Sequence, residues 1–166
     1  MALTYEAIAT ATATGSSATI SFTSISTAYT DLRLVFCGGQ SADTPTYLRF
    51  NNDSASNYWT KTVNAIGTSK DSQRGNLSGI WTRSEGVDEN TLFSSMVYDI
   101  PSYQAAYYRV VQCRIANANN SSTAGLTSFT HGIWKVNNAV TQIDLYTSSG
   151  NWTSGSTATL YGILRA

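Results

Sequence analysis

Residues 156–166 read STATLYGILRA, and this stretch has the two-residue alternation of a β-strand. Leu160 and Leu164 point to one side together with Gly162, and Tyr161 and Ile163 point to the other. A glycine inside a strand has no side chain to pack, so it marks a bulge, a bend or a close approach of another backbone. We predict a central or near-central strand, paired with residues 143–146 or with the N-terminal region. Leu160 and Leu164 should face the core, and Tyr161 and Ile163 a second apolar layer or a sister subunit.

Outward from this stretch, the same alternation recurs in about ten short segments that are separated by turn-forming residues. More than a quarter of the chain is serine or threonine, and no segment has a convincing helical period. The chain of 166 residues has the length of one domain. The sequence therefore predicts a single all-β domain over residues 1–166, a sandwich or a barrel. Residues 1–14 are expected to form an N-terminal arm or an edge strand.

Some segments carry more specific expectations. Residues 5–10 and 19–23 alternate on either side of a Gly-Ser-Ser break, which predicts a hairpin at a sheet edge. Residues 31–37 carry apolar side chains on both faces. Residues 67–76 contain no apolar side chain, so we expect an exposed, mobile loop there, with a second flexible loop over residues 117–125.

Charge and cysteine content restrict the function classes. The chain has ten basic and ten acidic residues, so it has none of the excess positive charge of a nucleic-acid-binding protein. No apolar run is long enough to span a membrane, and the N-terminus is unlike a secretory signal. Cys37 and Cys113 each lie in an apolar strand, and we expect two buried, reduced thiols. Their pairing cannot be deduced from the sequence.

No motif indicates chemistry. His131 is the only histidine, and it is interpreted as a structural or surface residue rather than as part of a triad or a zinc site. The stretches Asn51-Asn52-Asp53 and Asp88-Glu89-Asn90 offer oxygen atoms for calcium but lack the spacing of an EF-hand, so turns are the better interpretation. We therefore expect no catalytic residue, no cofactor and no metal site.

Four tryptophans leave three alternatives open, because large aromatic side chains fill cores, enrich protein interfaces and stack on sugar rings. We expect most of them in the core or at an interface, with a sugar-binding platform as the remaining alternative. The residues concerned are Trp59, Trp81, Trp134 and Trp152.

Several short motifs together resemble a known group of proteins. They are Thr4-Tyr5-Glu6-Ala7-Ile8, Ile20-Ser21-Phe22-Thr23-Ser24-Ile25, Tyr29-Thr30-Asp31-Leu32-Arg33-Leu34, Leu48-Arg49-Phe50-Asn51-Asn52-Asp53, Ile143-Asp144-Leu145-Tyr146 and the C-terminal Leu160-Tyr161-Gly162-Ile163. The pattern resembles small virion proteins of tailed phages, common in phages of cyanobacteria and other aquatic bacteria. Some of these proteins are similar to capsid cement, or decoration, proteins.

The resemblance implies a jelly-roll-like antiparallel β-sandwich without enzymatic activity. Such a protein would be made in the host cytoplasm and would bind the major capsid protein on the outer surface of the virion, as a homotrimer. Neither nucleic acid nor a membrane is expected as a partner. The alternative is a phage tail or fibre component, a lectin-like module that binds host surface glycans. The residues expected to contact a partner are Lys70, Asp71, Arg74, Asn119, Asn120 and Tyr161.

Overall fold

A computed structural model of the chain describes residues 5–66, 69–82, 94–117 and 126–165, with the backbone alone for residues 66 and 69–74. The described residues form twelve strands and no helix. The strands are β1 (Tyr5–Thr12), β2 (Thr19–Phe22), β3 (Asp31–Gly38), β4 (Thr46–Phe50), β5 (Tyr58–Ile66), β6 (Ser69–Leu77), β7 (Ile80–Thr82), β8 (Ser94–Ile100), β9 (Arg109–Asn117), β10 (Leu126–Trp134), β11 (Ile143–Thr147) and β12 (Thr157–Ile163).

The strands form two antiparallel sheets that pack as a sandwich. The larger sheet has eight strands in the order β1-β12-β3-β8-β9-β10-β5-β6, and the smaller has four in the order β2-β11-β4-β7. Eight of the strands form nested pairs, in which strands nearer the N-terminus pair with strands nearer the C-terminus: β1 with β12, β2 with β11, β3 with β8, and β4 with β7. Nested antiparallel pairs of this kind, shared between two sheets, are the connectivity of a jelly roll. The predicted all-β, jelly-roll-like sandwich is therefore confirmed.

Two insertions widen the larger sheet. The β5–β6 hairpin lies between β4 and β7 in the chain, and the β9–β10 pair lies between β8 and β11; β5 then pairs with β10. The prediction of a loop over residues 67–76 is wrong, because most of that segment is β6. An edge strand bonds its neighbour through the backbone, so the polar composition of β6 does not prevent it from pairing with β5.

The N-terminal segments form two edges rather than one hairpin. The strand β1 is an edge of the larger sheet and pairs with β12, whereas β2 is an edge of the smaller sheet and pairs with β11. The expected hairpin between them is wrong, although both are edge strands as predicted. Of residues 1–14, therefore, Tyr5–Thr12 are an edge strand.

The STATLYGILRA stretch supplies β12, which is hydrogen-bonded on both sides, to β1 and to β3. It stands second from the edge of the sheet, not at its centre. Pairing with the N-terminal region is confirmed, but pairing with residues 143–146 is wrong, since those residues lie in the other sheet. Leu160 is buried as expected, and so is Ala158, whereas Leu164 lies beyond the strand and is only partly buried.

Gly162 does mark a close approach, but of an aromatic ring and not of another backbone. A Cβ atom at Gly162 would lie 2.3 Å from Cγ of Tyr29, whose ring covers this point of β12. The bulge belongs to the neighbouring strand, where Ile8 is the extra residue between Ala7 and Ala9. The glycine is therefore required by the packing of Tyr29.

The core lies between the two sheets and is built from the inward-facing residues of each strand. Leu34, Phe36 and Leu160 of the larger sheet are fully buried, as are Leu48 and Leu145 of the smaller. At one end Trp134 packs against Phe50 and Tyr58, with ring centroids 5.5 Å and 6.3 Å apart. Trp152 packs on Phe36 at 4.6 Å. These two tryptophans are core residues.

One part of the buried face is polar. In β5 the residues Thr60, Thr62 and Asn64 point inward, and the more apolar Val63 and Ala65 point to solvent. The buried oxygens pair with those of β10: the hydroxyls of Thr62 and Thr130 are 2.8 Å apart, and the Ser128 hydroxyl donates to Asn64 Oδ1 at 2.8 Å. Such pairing removes most of the cost of burying polar groups.

The two cysteines lie on opposite sides of the larger sheet and are not bonded to each other. Cys113 faces the core, where burial raises the pKa of its thiol, but Cys37 is exposed on the outer side. The prediction of two buried thiols is thus wrong for Cys37: its strand has one face to the core and one to solvent, and Cys37 lies on the solvent face.

We expect a thiol reagent such as 5,5′-dithiobis(2-nitrobenzoate) to react with Cys37 rapidly in the native protein, and with Cys113 only after unfolding. Only a thiolate is nucleophilic, and the buried Cys113 is held in the thiol form. The test compares reagent consumption before and after addition of guanidinium chloride. The Cys37→Ser variant should show no fast reaction, and a fast reaction in that variant would contradict the assignment.

Candidate binding surface

The exposed side of the larger sheet is the candidate site. Its side chains alternate with those of the core along every strand, as the two-residue period requires. We call this surface the outer face; its described side chains come from β1, β12, β3, β8, β9, β10 and β5. Two of its apolar residues are unusually exposed, Val63 at 53% and Phe129 at 47%.

A row of apolar residues crosses the outer face. Val35 lies opposite Val97, and Phe129 lies opposite Val63. Arg114 stands between the two pairs, opposite both Val97 and Phe129 in the register. We call Val35, Val97, Phe129 and Val63 the apolar row. Apolar residues grouped around a charged side chain on a solvent-facing surface are typical of interaction surfaces.

Basic side chains flank the apolar row. The Nε atom of Arg33 is 2.5 Å from Asp99 Oδ1, and Nη2 of Arg114 is 3.0 Å from Asp99 Oδ2. The hydrogen bond from Arg33 to Asp99 raises the pKa of Arg33, so this guanidinium stays charged. Lys61 is exposed in the next row, opposite His131. Among the described side chains in the middle of this face, Arg33 and Arg114 thus share the carboxylate of Asp99, and Lys61 adds a third basic group.

A shallow groove of about 540 Å³ runs over this region. Tyr5, Val35, Val97, Arg114 and Phe129 are among the residues that line it. At the β1 end the rings of Tyr5 and Tyr161 stack with centroids 4.7 Å apart, and the Arg33 guanidinium lies 5.8 Å from the Tyr5 ring. The groove therefore combines apolar walls with cationic groups.

The sheet edges are poorly suited to binding another strand. At the edges of the smaller sheet, β2 has four residues and β7 three. In the larger sheet, β1 is interrupted by the bulge at Ile8 and carries Glu6, and β6 contains Lys70, Asp71 and Arg74. Short strands, bulges and charged residues are the devices that prevent edge-to-edge pairing. Faces are therefore better placed than edges to bind a partner.

The outer side of the smaller sheet differs from the outer face. Tyr47 and Tyr146 stack there at 5.2 Å, and Arg49 lies 4.4 Å from the centre of the Tyr146 ring. Arg49 also donates to the Tyr146 hydroxyl at 2.9 Å and to the Ser78 carbonyl at 3.2 Å. Tyr47 and Arg49 therefore both contact Tyr146, and both sides of the Tyr146 ring are covered by residues of the same chain.

The residues expected to contact a partner are dispersed. Tyr161 lies on the outer face, partly buried, beside the groove. The backbone of Lys70, Asp71 and Arg74 lies in β6, at the opposite edge of the sheet, with Arg74 opposite Lys61 in the ladder; their side chains lie outside the described part. Asn119 and Asn120 also lie outside the described residues.

The apolar row was not predicted as a site. The sequence does hint at part of the row. Residues 31–37 carry apolar side chains on both faces of their strand, although a strand with one buried face needs them on that face only. The alternation over residues 57–66 puts Val63 on the apolar side of its strand, and the structure turns that side to solvent.

The tryptophans do not form a platform. Trp134 and Trp152 are buried, whereas Trp59 and Trp81 are partly buried on opposite outer sides of the sandwich. His131 lies on the outer face with its ring 6.4 Å from that of Trp59, an edge-to-face contact.

The Asn51-Asn52-Asp53 turn uses its oxygens within the protein. Asp53 accepts hydrogen bonds from Trp134 Nε1 at 2.7 Å, Asn57 Nδ2 at 2.9 Å and the Ala55 amide at 3.0 Å. Burial opposes ionisation, but these donors outweigh it and hold the pKa of Asp53 below its usual value. Asn51 Oδ1 accepts from the amides of Thr141 and Gln142.

Within the described ranges, no three His, Cys, Asp or Glu side chains are grouped as a metal site would need. The second candidate calcium stretch, Asp88-Glu89-Asn90, lies outside those ranges. Nor does any helix of the described residues have the length and hydropathy needed to cross a membrane.

No protein-family model matches this chain, and no curated protein matches it in sequence. The resemblance to phage virion proteins therefore stays a hypothesis that depends on the short motifs alone.

Proposed function

We propose that the protein is a non-enzymatic structural component of a phage particle, a decoration protein that binds and stabilises the outer capsid lattice. The observation that carries this proposal is the nested pairing of eight strands into a jelly roll, an architecture that recurs in viral capsid and lectin domains. A fold alone does not assign a function, so the proposal also depends on the motif resemblance and on the surface.

The surface is suited to assembly. The sheet edges are poorly suited to binding another strand, and the outer face presents apolar and basic side chains on the five adjacent strands from β3 to β5. A decoration protein stabilises a shell by contacting several capsid subunits at once, and modest contacts then add through multivalency. A homotrimer, as the resemblance implies, would multiply each contact threefold at a symmetric position.

The test is the abundance of the protein in purified particles of the phage that encodes it. A decoration protein is expected in a fixed, near-stoichiometric ratio to the major capsid protein, measured by quantitative mass spectrometry with labelled peptide standards. Its absence from purified particles would overturn the proposal.

The same measurement separates the alternative, a glycan-binding tail or fibre component. Lectins also use the jelly roll, but the dispersed tryptophans do not favour a stacking platform here. A tail component would be present at a copy number far below that of the capsid protein, and it would be lost from tailless heads.

A further inference from the structure

We propose that the outer face is the surface that docks on the capsid, and that its partner there is an acidic protein surface with apolar residues at its centre. This inference rests on the proposed function and adds the contact surface and its chemistry. The apolar row, Arg33, Arg114 and Lys61 carry it.

The size of the outer face fits a protein partner. Eight strands about 4.8 Å apart, each seven to nine residues long at about 3.3 Å per residue, give a projected area of about 850 Å². A stable protein–protein interface buries about 800 Å² on each partner. The outer face therefore suffices for one such interface, whereas the groove within it is open and shallow.

The composition of the face also indicates a protein. Valine dominates the apolar row, together with Phe129, and aliphatic side chains gain from burial against other apolar groups rather than from stacking on a sugar. The most exposed members, Val63 and Phe129, are cross-strand neighbours and form a single exposed pair. Arg114 beside them combines an apolar stem with a charged group, as interface arginines do.

The charge of the outer face indicates which charge its partner carries. The chain as a whole is neutral, but the described middle of the outer face has Arg33, Arg114 and Lys61 against the single carboxylate of Asp99. Asp31 at the end of the sheet is paired with Arg165 at 2.7 Å and does not compensate them. A second copy of the same basic face would be repelled, while an acidic surface would be attracted and could take over one arginine from Asp99.

Two substitutions at one exposed position separate the apolar and the charge contributions. Phe129→Glu removes apolar area and introduces a negative charge, which an acidic partner would repel. Phe129→Lys removes the same apolar area but adds a positive charge, like those already on the outer face. Thr19→Glu is the matched control, because Thr19 is exposed on the opposite side of the sandwich, in β2, and lies opposite Tyr146 rather than an acidic residue. All three variants should keep the unfolding midpoint of the wild type, which checks that they fold.

The binding probe is the phage particle from which the native protein has been stripped or genetically removed. We expect the wild-type protein to bind, Phe129→Lys to bind about tenfold more weakly and Phe129→Glu about a hundredfold more weakly, with Thr19→Glu within about twofold of wild type. Association of the wild type should also slow as salt is raised from about 0.05 M to about 0.5 M.

The experiment distinguishes failure of the proposed function from failure of the proposed docking face. If the wild-type protein does not bind the particles at all, the proposed function is overturned. If it binds and Phe129→Glu binds equally well, the docking face is overturned while the function stands. If Phe129→Lys is the weaker of the two, the acidic partner is overturned. If sedimentation shows wild-type oligomers that Phe129→Glu dissociates, a second copy occupies the face and the inference is wrong.

Discussion

Replacing Gly162 by alanine is expected to destabilise the protein by about 2–3 kcal/mol, and by valine more, because both substitutions overpack the site. An added Cβ would lie 2.3–2.5 Å from three atoms of the Tyr29 ring. The ring has little freedom to move, since its hydroxyl donates to Glu6 at 3.1 Å and its backbone carbonyl accepts from Gln104 at 2.6 Å. Denaturant-induced unfolding followed by tryptophan fluorescence measures the loss.

Two controls make this prediction specific. Gly75→Ala adds the same atom in another strand of the same sheet, where the nearest heavy atom is 3.9 Å away, and should be neutral or stabilising by up to about 0.5 kcal/mol. In a Tyr29→Ala background the cost of Gly162→Ala should fall to about 0.5 kcal/mol or less, because the clash is gone. Strictly additive costs in the double variant would contradict the assigned contact.

Replacing Arg109 by methionine is expected to cost about 3 kcal/mol of unfolding free energy, since buried acceptors that lose their donor cost about 1–3 kcal/mol each. The Arg109 side chain is fully buried, and burial lowers the pKa of its guanidinium. It donates to the carbonyls of Ser102, at 3.0 Å, of Ala105, and of Asn138, at 3.3 Å. It thereby joins the β8–β9 connection to the connection between β10 and β11.

The matched control is Arg114→Met on the outer face, where the ion pair with Asp99 is exposed and should contribute less than about 1 kcal/mol. Arg109→Lys should lie between the two, because one ammonium group cannot reach all three carbonyls. If Arg109→Met and Arg114→Met are equally stable, the prediction is wrong. That result would show that the three carbonyls bonded by Arg109 are hydrated once the guanidinium is removed.

The class of fold could be predicted from the sequence because the two-residue period is a local property. Leu160, which is expected to face the core, and Cys113, which is expected to be buried, are indeed in the core. Strong alternation of large apolar and polar residues leaves one orientation that buries the apolar side.

The candidate site could be predicted only in part. Tyr161 was expected to face a partner and does lie on the outer face, but the apolar row beside it brings together residues from β3, β8, β10 and β5. These strands are far apart in the chain, so their adjacency follows from strand order alone. A loop-based site over residues 67–76 was expected because polar stretches favour loops, and the structure places a strand there.

The sequence by itself therefore determined the β-class and most strand positions, whereas the need for glycine at position 162 comes from the tertiary packing of the Tyr29 ring. The tertiary structure alone decided the strand order, the separation of β1 from β2 into different sheets, and which side is buried in a strand such as β5 that lacks a strong apolar alternation. In β5 the polar Thr62 and Asn64 are inside because β10 offers hydroxyl partners there, and the Thr60 hydroxyl accepts from the Trp81 amide of β7. Val63 is then left on the surface. Burial depends on what the neighbouring strand presents, and strand neighbours are set by long-range pairing rather than by local pattern.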